Sequence, residues 1–287
     1  MHKKLYIPGP VEVRKDVLEK MSTPLVGHRT KEFAELFHDI KEKLKKVFYT
    51  ENPVFVSTSS GSGFMEAAMR NLVKKKVLNC VCGSFSKKWH DIAVRCGKQA
   101  ERVEVEWGKA IKPDMVDEKL STSEFDAVCV THNETSTGVM HHLDELAEVL
   151  KNYPDVLFLV DAVSSLGGAK IEVDKLGIDM CITSSQKALA LPPGIALASI
   201  SERALKRAEE VQNRGYYFDL LELKKMYDKD NTPYTPSVSH LYALNYQLDR
   251  IFEEGLENRF ERHERLAKKT RKWATGLGFE LFPEPGY

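Results

Sequence analysis

Seven short apolar runs mark the middle of the chain, at Pro53–Ser57, Val77–Cys82, Arg102–Val105, Ala127–Thr131, Val156–Val160, Met180–Thr183 and Ile195–Ile200. Most are continuous instead of alternating, the pattern of a strand covered on both faces. Between them apolar positions recur at the helical period, and Gly61–Val73, Lys87–Cys96 and Leu143–Lys151 read as helices. Strands alternating with helices predict an α/β fold built on a mainly parallel sheet. Only a short loop separates the runs near residues 180 and 195, so those two are expected to be antiparallel neighbours. The basic runs 41–46 and 74–76 fall in helical patterns among acidic or apolar residues and are expected to be solvated helix faces.

The ends of these strands change the picture. The first runs into Ser59-Ser-Gly-Ser-Gly63, the second into Cys82-Gly-Ser-Phe-Ser86 and the fourth into Thr131-His-Asn-Glu-Thr-Ser-Thr-Gly138. The fifth ends on Asp161, after four apolar residues, and the sixth leads to Lys187. Ligands of open α/β sheets bind outside the carboxyl ends of the strands. A Gly-Ser loop, an aromatic ring, a hydroxyl, a carboxylate and an amine are therefore expected on one rim.

Each of these parts has an ordinary reading by itself. Ser60-Gly61-Ser62 opens a helix, where small residues cap chain ends and where free amides also bind phosphate. Position 66 is Glu, so the dinucleotide fingerprint fails, and no P-loop lysine follows. Asp161 at the rim of a dry sheet wants a cationic partner, for which a protonated pyridine nitrogen would serve. Phe85 can be core or can stack on a planar cofactor, and Thr135 can be a turn residue or bond a ring oxygen. Lys187 becomes a nucleophile once desolvation lowers its pKa, and can then hold an aldehyde as a Schiff base. Together the set matches the protein side of pyridoxal-phosphate chemistry.

Composition narrows the alternatives. Lys plus Arg and Asp plus Glu are equal at 42 each in 287 residues, so no net field draws the chain to nucleic acid or to an anionic membrane. No apolar stretch reaches the length of a membrane span. Five cysteines, mostly in strand-like runs, read as reduced thiols of a cytoplasmic protein, and Cys80-Val-Cys82 lacks a second ligand pair for zinc. No metal site is expected.

With these residues in view, the sequence resembles the class V, fold-type I aminotransferases, particularly the serine–pyruvate/alanine–glyoxylate group. The resemblance rests on Ile7-Pro-Gly-Pro10, Gly27-His-Arg29, Ser60-Gly-Ser-Gly63, His132–Gly138, Asp161-Ala-Val-Ser-Ser-Leu-Gly-Gly168, Ser184-Ser-Gln-Lys-Ala-Leu189, Pro192-Pro-Gly194, Thr232-Pro-Tyr-Thr-Pro236 and Gly255-Leu-Glu-Asn258. It implies a pyridoxal 5′-phosphate enzyme in which Lys187 forms the Schiff base and shuttles the proton, and Asp161 keeps the ring nitrogen protonated. Phe85 would stack on one ring face and Val163 on the other, although this group often carries Trp where Phe85 stands. Thr135 would bond the ring's 3-oxygen, and Ser60, Gly61, Ser62 and Gln186 would hold the phosphate. Thr235 would reach the phosphate of a second subunit, which makes the enzyme a homodimer with shared sites.

The resemblance further implies an N-terminal segment (1–20) associated with a small domain, a large cofactor domain (21–250) with a seven-stranded sheet, and the start of a small C-terminal α+β domain (251–287). Relatives continue for about a hundred residues more, and the arginine that clamps the substrate carboxylate is expected there. The expected reaction moves an amino group from serine or alanine to pyruvate or glyoxylate. Phosphoserine or aspartate transamination, a cysteine desulfurase or kynureninase-like lyase, and a cofactor-free scaffold are the alternatives. Against the desulfurase stand Gln186, where such relatives carry His, and the lack of a cysteine in an evident mobile loop.

Overall fold

The computed structural model describes residues 3–287. Its strands are β1 (Val54–Ser57), β2 (Lys76–Val81), β3 (Gln99–Glu104), β4 (Ala127–Thr131), β5 (Leu157–Asp161), β6 (Met180–Ser184) and β7 (Ala196–Ile200), at or within a few residues of the predicted runs. They form a seven-stranded sheet in the order β1-β7-β6-β5-β4-β2-β3. β7 is antiparallel to both β1 and β6, and the other pairings are parallel. The expected antiparallel pair near residues 180 and 195 is β6 and β7.

Every residue of β1, β4, β5, β6 and β7 is buried. Helices α3 (Gly61–Leu72), α4 (Ser84–Arg95), α5 (Pro113–Leu120) and α8 (Leu220–Tyr227) pack against strands of the sheet, with α6 (Leu143–Leu150) on α5 and α7 (Glu202–Glu210) on α3 and α8, while α1 (Lys15–Lys20) and α2 (Lys31–Phe48) pack on α9 (Val238–Glu254). Phe33, Phe37, Ile40, Leu44, Val47 and Phe48 bury one stripe of α2, the spacing that holds an amphipathic helix against its neighbours. Among the described residues, no helix is long and apolar enough to cross a membrane. Residues 251–287 comprise the end of α9, then α10 (Leu256–Gly276), then chain without regular elements.

Four expectations change in the structure. The edge strand β3 begins at Gln99, three residues before the predicted run, because its charged Gln-Ala-Glu-Arg-Val-Glu face is solvent-lapped and carries no apolar signal. α4 begins at Ser84 instead of Lys87, for a reason that belongs to the site below. The lysines at 41–46 are not all solvated. Lys41 is buried, its Nζ donating to the Tyr227 carbonyl at 2.6 Å and to Asp230 at 2.5 Å while lying 4.0 Å above the Tyr227 ring. Lys76, expected on a helix, opens β2.

The amino end of β6 is pinned by buried Asp179. Its carboxylate accepts the Phe158 N–H at 2.8 Å, the Ser201 hydroxyl at 2.7 Å and Arg203 Nε at 3.0 Å. Alanine at this position leaves the buried Phe158 amide without its acceptor and takes the carboxylate from Arg203, whose guanidinium keeps only the Pro154 and Val156 carbonyls. Unfolding in urea is expected to show a loss of about 3 kcal/mol for Asp179→Ala.

Candidate active site

Parallel register brings the chemistry to one edge. Thr131 pairs with Asp161, the last residues of β4 and β5. Ser57 and Ser184, the last residues of β1 and β6, both pair with Ala196 of β7. A cavity of about 170 Å³ lies at this carboxyl edge, lined by Ser60, Gly61, Ser62, Phe85, Thr135, Asp161, Val163, Gln186 and Lys187 together with Met65, Lys88, Asn133, Ser164 and Ser184. Nine of the ten sequence-predicted residues thus share one wall. The tenth, Thr235, lies beside a different hollow with Ser57, Thr58, Tyr217 and Tyr234. A larger hollow of about 530 Å³ around Arg70, Lys74, Arg95 and Lys98 contains none of the ten, so the candidate site follows the chemistry and not the size.

Asp161 ends β5 with 4 % of its surface exposed. Its Oδ1 accepts the Val163 N–H at 2.8 Å. Burial raises its pKa to about 6, against the opposing pull of that amide and of the ammonium groups of Lys88 and Lys187. A buried carboxylate with one amide partner and a face on a cavity suits a cationic, hydrogen-bond-donating guest.

Lys187 projects from the loop between β6 and β7. Partial burial pushes its pKa below the ordinary lysine value, with Asp161 opposing. Its Nζ donates to the Pro8 carbonyl at 3.0 Å, and Val11 N–H bonds the Gln186 carbonyl at 3.0 Å, so residues 8–11 lie across the lysine loop. A Cβ on Gly9 would fall 2.7 Å from Lys187 Nζ, and Gly9 has φ +152°. Only glycine lets the backbone come this close.

Ser60 precedes the first turn of α3, where backbone N–H groups lack helical partners. A Cβ on Gly61 would fall 2.7 Å from Val163 Cγ2, so glycine here lets the helix start close over the Val163 side chain. Ser184 Oγ on the same wall is buried without a hydrogen-bond partner.

Phe85 sits in the first turn of α4, not at a strand end. Glu134, fully buried, collects the N–H groups of Phe85 (3.1 Å) and Ser86 (2.8 Å), the Ser86 hydroxyl (2.8 Å) and the Ser136 hydroxyl (2.7 Å). These donors hold its pKa below the usual carboxylate range despite the opposing effect of burial, which is the largest single influence. A carboxylate capping the amides of a helix's first turn stabilises it, and here the cap comes from a loop 48 residues away in sequence. This is why α4 starts three residues earlier than local sequence suggests.

Lys88, one turn after Phe85, was not singled out from the sequence, although i, i+3 spacing puts the two on one helix face. Its Nζ lies 5.0 Å from the Phe85 ring centre. Asn133 and Ser164 bridge the β4 and β5 loops through Asn133 Nδ2 to Ser164 Oγ at 2.9 Å and Ser164 Oγ to the Asn133 carbonyl at 2.8 Å. Arg29 donates to the carbonyls of Thr232 at 2.6 Å and Pro233 at 3.1 Å, fixing the loop that carries Thr235.

Amine, buried carboxylate, unpartnered hydroxyl and helix amides fit a small aldehyde that bears a basic ring nitrogen and a phosphate. Among the described residues, no group of three or more His, Cys, Asp or Glu could hold a metal ion.

Fold and site together define an α/β protein with a lysine-centred cavity on the carboxyl edge of its sheet. The family described as aminotransferase class-V matches residues 15–275, and the chain belongs to that family. It is 49 % identical over 285 residues to an uncharacterized aminotransferase of Methanocaldococcus jannaschii, covering 98 % of this chain and 74 % of that one. It is 37 % identical over 289 residues to the serine–glyoxylate aminotransferase of Methylorubrum extorquens, covering 96 % and 72 %. The crystal structure of the alanine–glyoxylate aminotransferase of Nostoc sp. superposes with a TM-score of 0.92 at 31 % identity, covering 98 % of this chain and 76 % of that one. The fold is that of the fold-type I aminotransferases, and the protein is an aminotransferase.

Proposed function

We propose that the protein is a pyridoxal-phosphate transaminase moving an amino group from serine or alanine to glyoxylate or pyruvate, with Lys187 and Asp161 as its catalytic residues. The observation that carries this reading is the shared cavity wall: the ammonium of Lys187 and the buried carboxylate of Asp161 face one space at the strand ends. Pyridoxal phosphate supplies an aldehyde for amines and a ring that accepts electrons from the substrate's α-carbon.

The chain's own residues supply the rest. Asp161 fixes a proton on a ring nitrogen because its ionised form is tolerated in this dry position only beside a positive charge. Lys187, whose pKa partial burial lowers from the ordinary lysine value, gives up its proton more readily than a solvated lysine and then carries a proton to and from the reacting carbon. Phe85 and Val163 confine the ring, Thr135 bonds its 3-oxygen, and Ser60, Gly61, Ser62 and Gln186 hold the phosphate. Thr235 stands away from its own protomer's cavity, which accords with a homodimer in which it reaches across to the other protomer's phosphate site. A cytoplasmic enzyme without nucleic-acid or membrane partners, divided at residues 20 and 250 into N-terminal segment, large domain and start of a small domain, completes the reading. Cys80, Cys82, Cys129 and Cys181 are buried, and no cysteine is among the residues lining the cavity, which weighs against desulfurase chemistry.

Purified protein loaded with pyridoxal phosphate should be trapped by borohydride with the label on the Lys187 peptide. A panel of serine, alanine, aspartate and phosphoserine against glyoxylate and pyruvate should run fastest with serine or alanine. Preference for aspartate or phosphoserine would reassign the substrate. Absence of transamination with every pair would sink the proposal.

A further inference from the structure

Arg259 lies in the first turn of α10, just after the Gly255 break that separates it from α9. It is 7 % exposed. Its Nε donates to the Gly167 carbonyl at 2.7 Å, its Nη2 donates to the Ala188 carbonyl, and its Nη1 pairs with Glu254 at 2.9 Å. Glu254 also takes Arg262 Nη2 at 3.1 Å, so the guanidinium is held from across the helix break. Gly167 belongs to the loop that leaves Asp161, and Ala188 follows Lys187. One planar fork therefore ties the two loops that carry the carboxylate and the amine. The loops also touch directly: a Cβ on Gly168 would lie 3.3 Å from the Ala188 Cβ.

We infer that Arg259 is a positioning residue for the transamination proposed above, setting the distance and burial of Lys187 relative to Asp161 through the Ala188 and Gly167 carbonyls. A guanidinium is costly to desolvate, and main-chain carbonyls of two loops could be satisfied by neutral donors. What arginine adds is a rigid, planar geometry: two donors at a fixed separation, which lysine's single ammonium cannot reproduce. Gln247, whose Nε2 donates to the Leu189 carbonyl at 3.0 Å, holds the next turn of the same loop from α9. The lysine loop is thus anchored from both sides of the α9–α10 break. Loosening it lets water reach the amine, and a rehydrated lysine returns toward its ordinary pKa.

The inference rests on the lysine-centred reading but is tested without turnover. The full-length, cofactor-free protein is treated with trinitrobenzenesulfonate across a pH series, and labelling of the Lys187 peptide is followed by mass spectrometry. In wild type the midpoint should lie below the ordinary lysine value of 10.5. Arg259→Met should move it upward by about half a pH unit or more, and Arg259→Lys should fall between the two. Glu254→Gln, which frees the guanidinium without removing it, should shift it in the same direction by less. If Arg259→Met fails to fold, the other two variants carry the test. A lowered melting temperature with an unmoved midpoint in every folded variant makes Arg259 a purely structural clamp and overturns the inference, as does a wild-type midpoint at 10.5. Wild-type protein that never takes up pyridoxal phosphate would instead overturn the cofactor reading and leave the labelling result standing.

Discussion

Lys187→Ala is expected to lower kcat for amino-group transfer by at least about 10⁴-fold, because in the proposed mechanism one side chain serves as both nucleophile and proton carrier. The loss should fall on kcat, since the other cavity-lining residues proposed to hold the cofactor (Ser60, Gly61, Ser62, Asp161, Val163 and Gln186) remain. Equilibrium dialysis should still show pyridoxal-phosphate binding, and borohydride should no longer fix a label. The free protein should not be weakened much. A cation whose folded-state pKa lies below its unfolded value disfavours folding at pH values where it is charged in the unfolded chain. Removing Lys187 relieves that cost at neutral pH and forfeits the hydrogen bond to Pro8, worth about 1 kcal/mol. The benefit should shrink as pH climbs toward 10.5, where the wild-type amine loses its charge in both states. Residual transamination within tenfold of wild type would remove Lys187 from its proposed role.

The legible and illegible parts of this chain separate by the range of the interaction that specifies them. Strands β4 to β7 announce themselves as runs of buried apolar residues, since a strand covered on both faces has no polar alternation to hide it. Asp161 stands out for the same reason: a carboxylate directly after four such residues is a local contradiction. The strand-end rule then gathers Ser60, Phe85, Thr135 and Lys187 on the correct edge, although they are far apart in sequence. What stays hidden depends on tertiary partners. The start of α4 is set by Glu134, and the burial of Lys41 by the Tyr227 carbonyl and Asp230. Ser184 is one of several serines until the sheet register turns it toward the cavity. Arg259 reads as a surface arginine in a charged helix, and only the path of α10 past the Gly167 and Ala188 carbonyls gives it work to do.

Asp161→Asn should cut kcat by about 10²- to 10³-fold, the effect of removing one partner from a buried, hydrogen-bonded charge pair worth roughly 3–4 kcal/mol. Asparagine is nearly isosteric and its Oδ1 can still accept the Val163 N–H, so the cavity wall should persist. What is lost is the negative charge proposed to keep a proton on the ring nitrogen, and with it the electron-accepting power of the ring. In the cofactor-free protein the same substitution should be stabilising, in a pH-dependent way. Burial raises the Asp161 pKa from 3.8 to about 6, so the folded state resists ionisation that the unfolded chain permits. Wild-type stability from this group is therefore complete below about pH 4 and is lost as pH rises to about 6 and beyond. A shift of this size corresponds to about 3 kcal/mol. Urea unfolding of both cofactor-free proteins at pH 4 and pH 7 isolates the effect, because all other titrating groups are common to the two. The stability of Asp161→Asn relative to wild type should increase by that order between the two pH values. Adding pyridoxal phosphate at pH 7 should then favour wild type over the variant, because only the ionised carboxylate gains a cationic partner. A difference that does not change with pH would mean that Asp161 does not titrate in this window, and the electrostatic basis of its assigned role would fall with it.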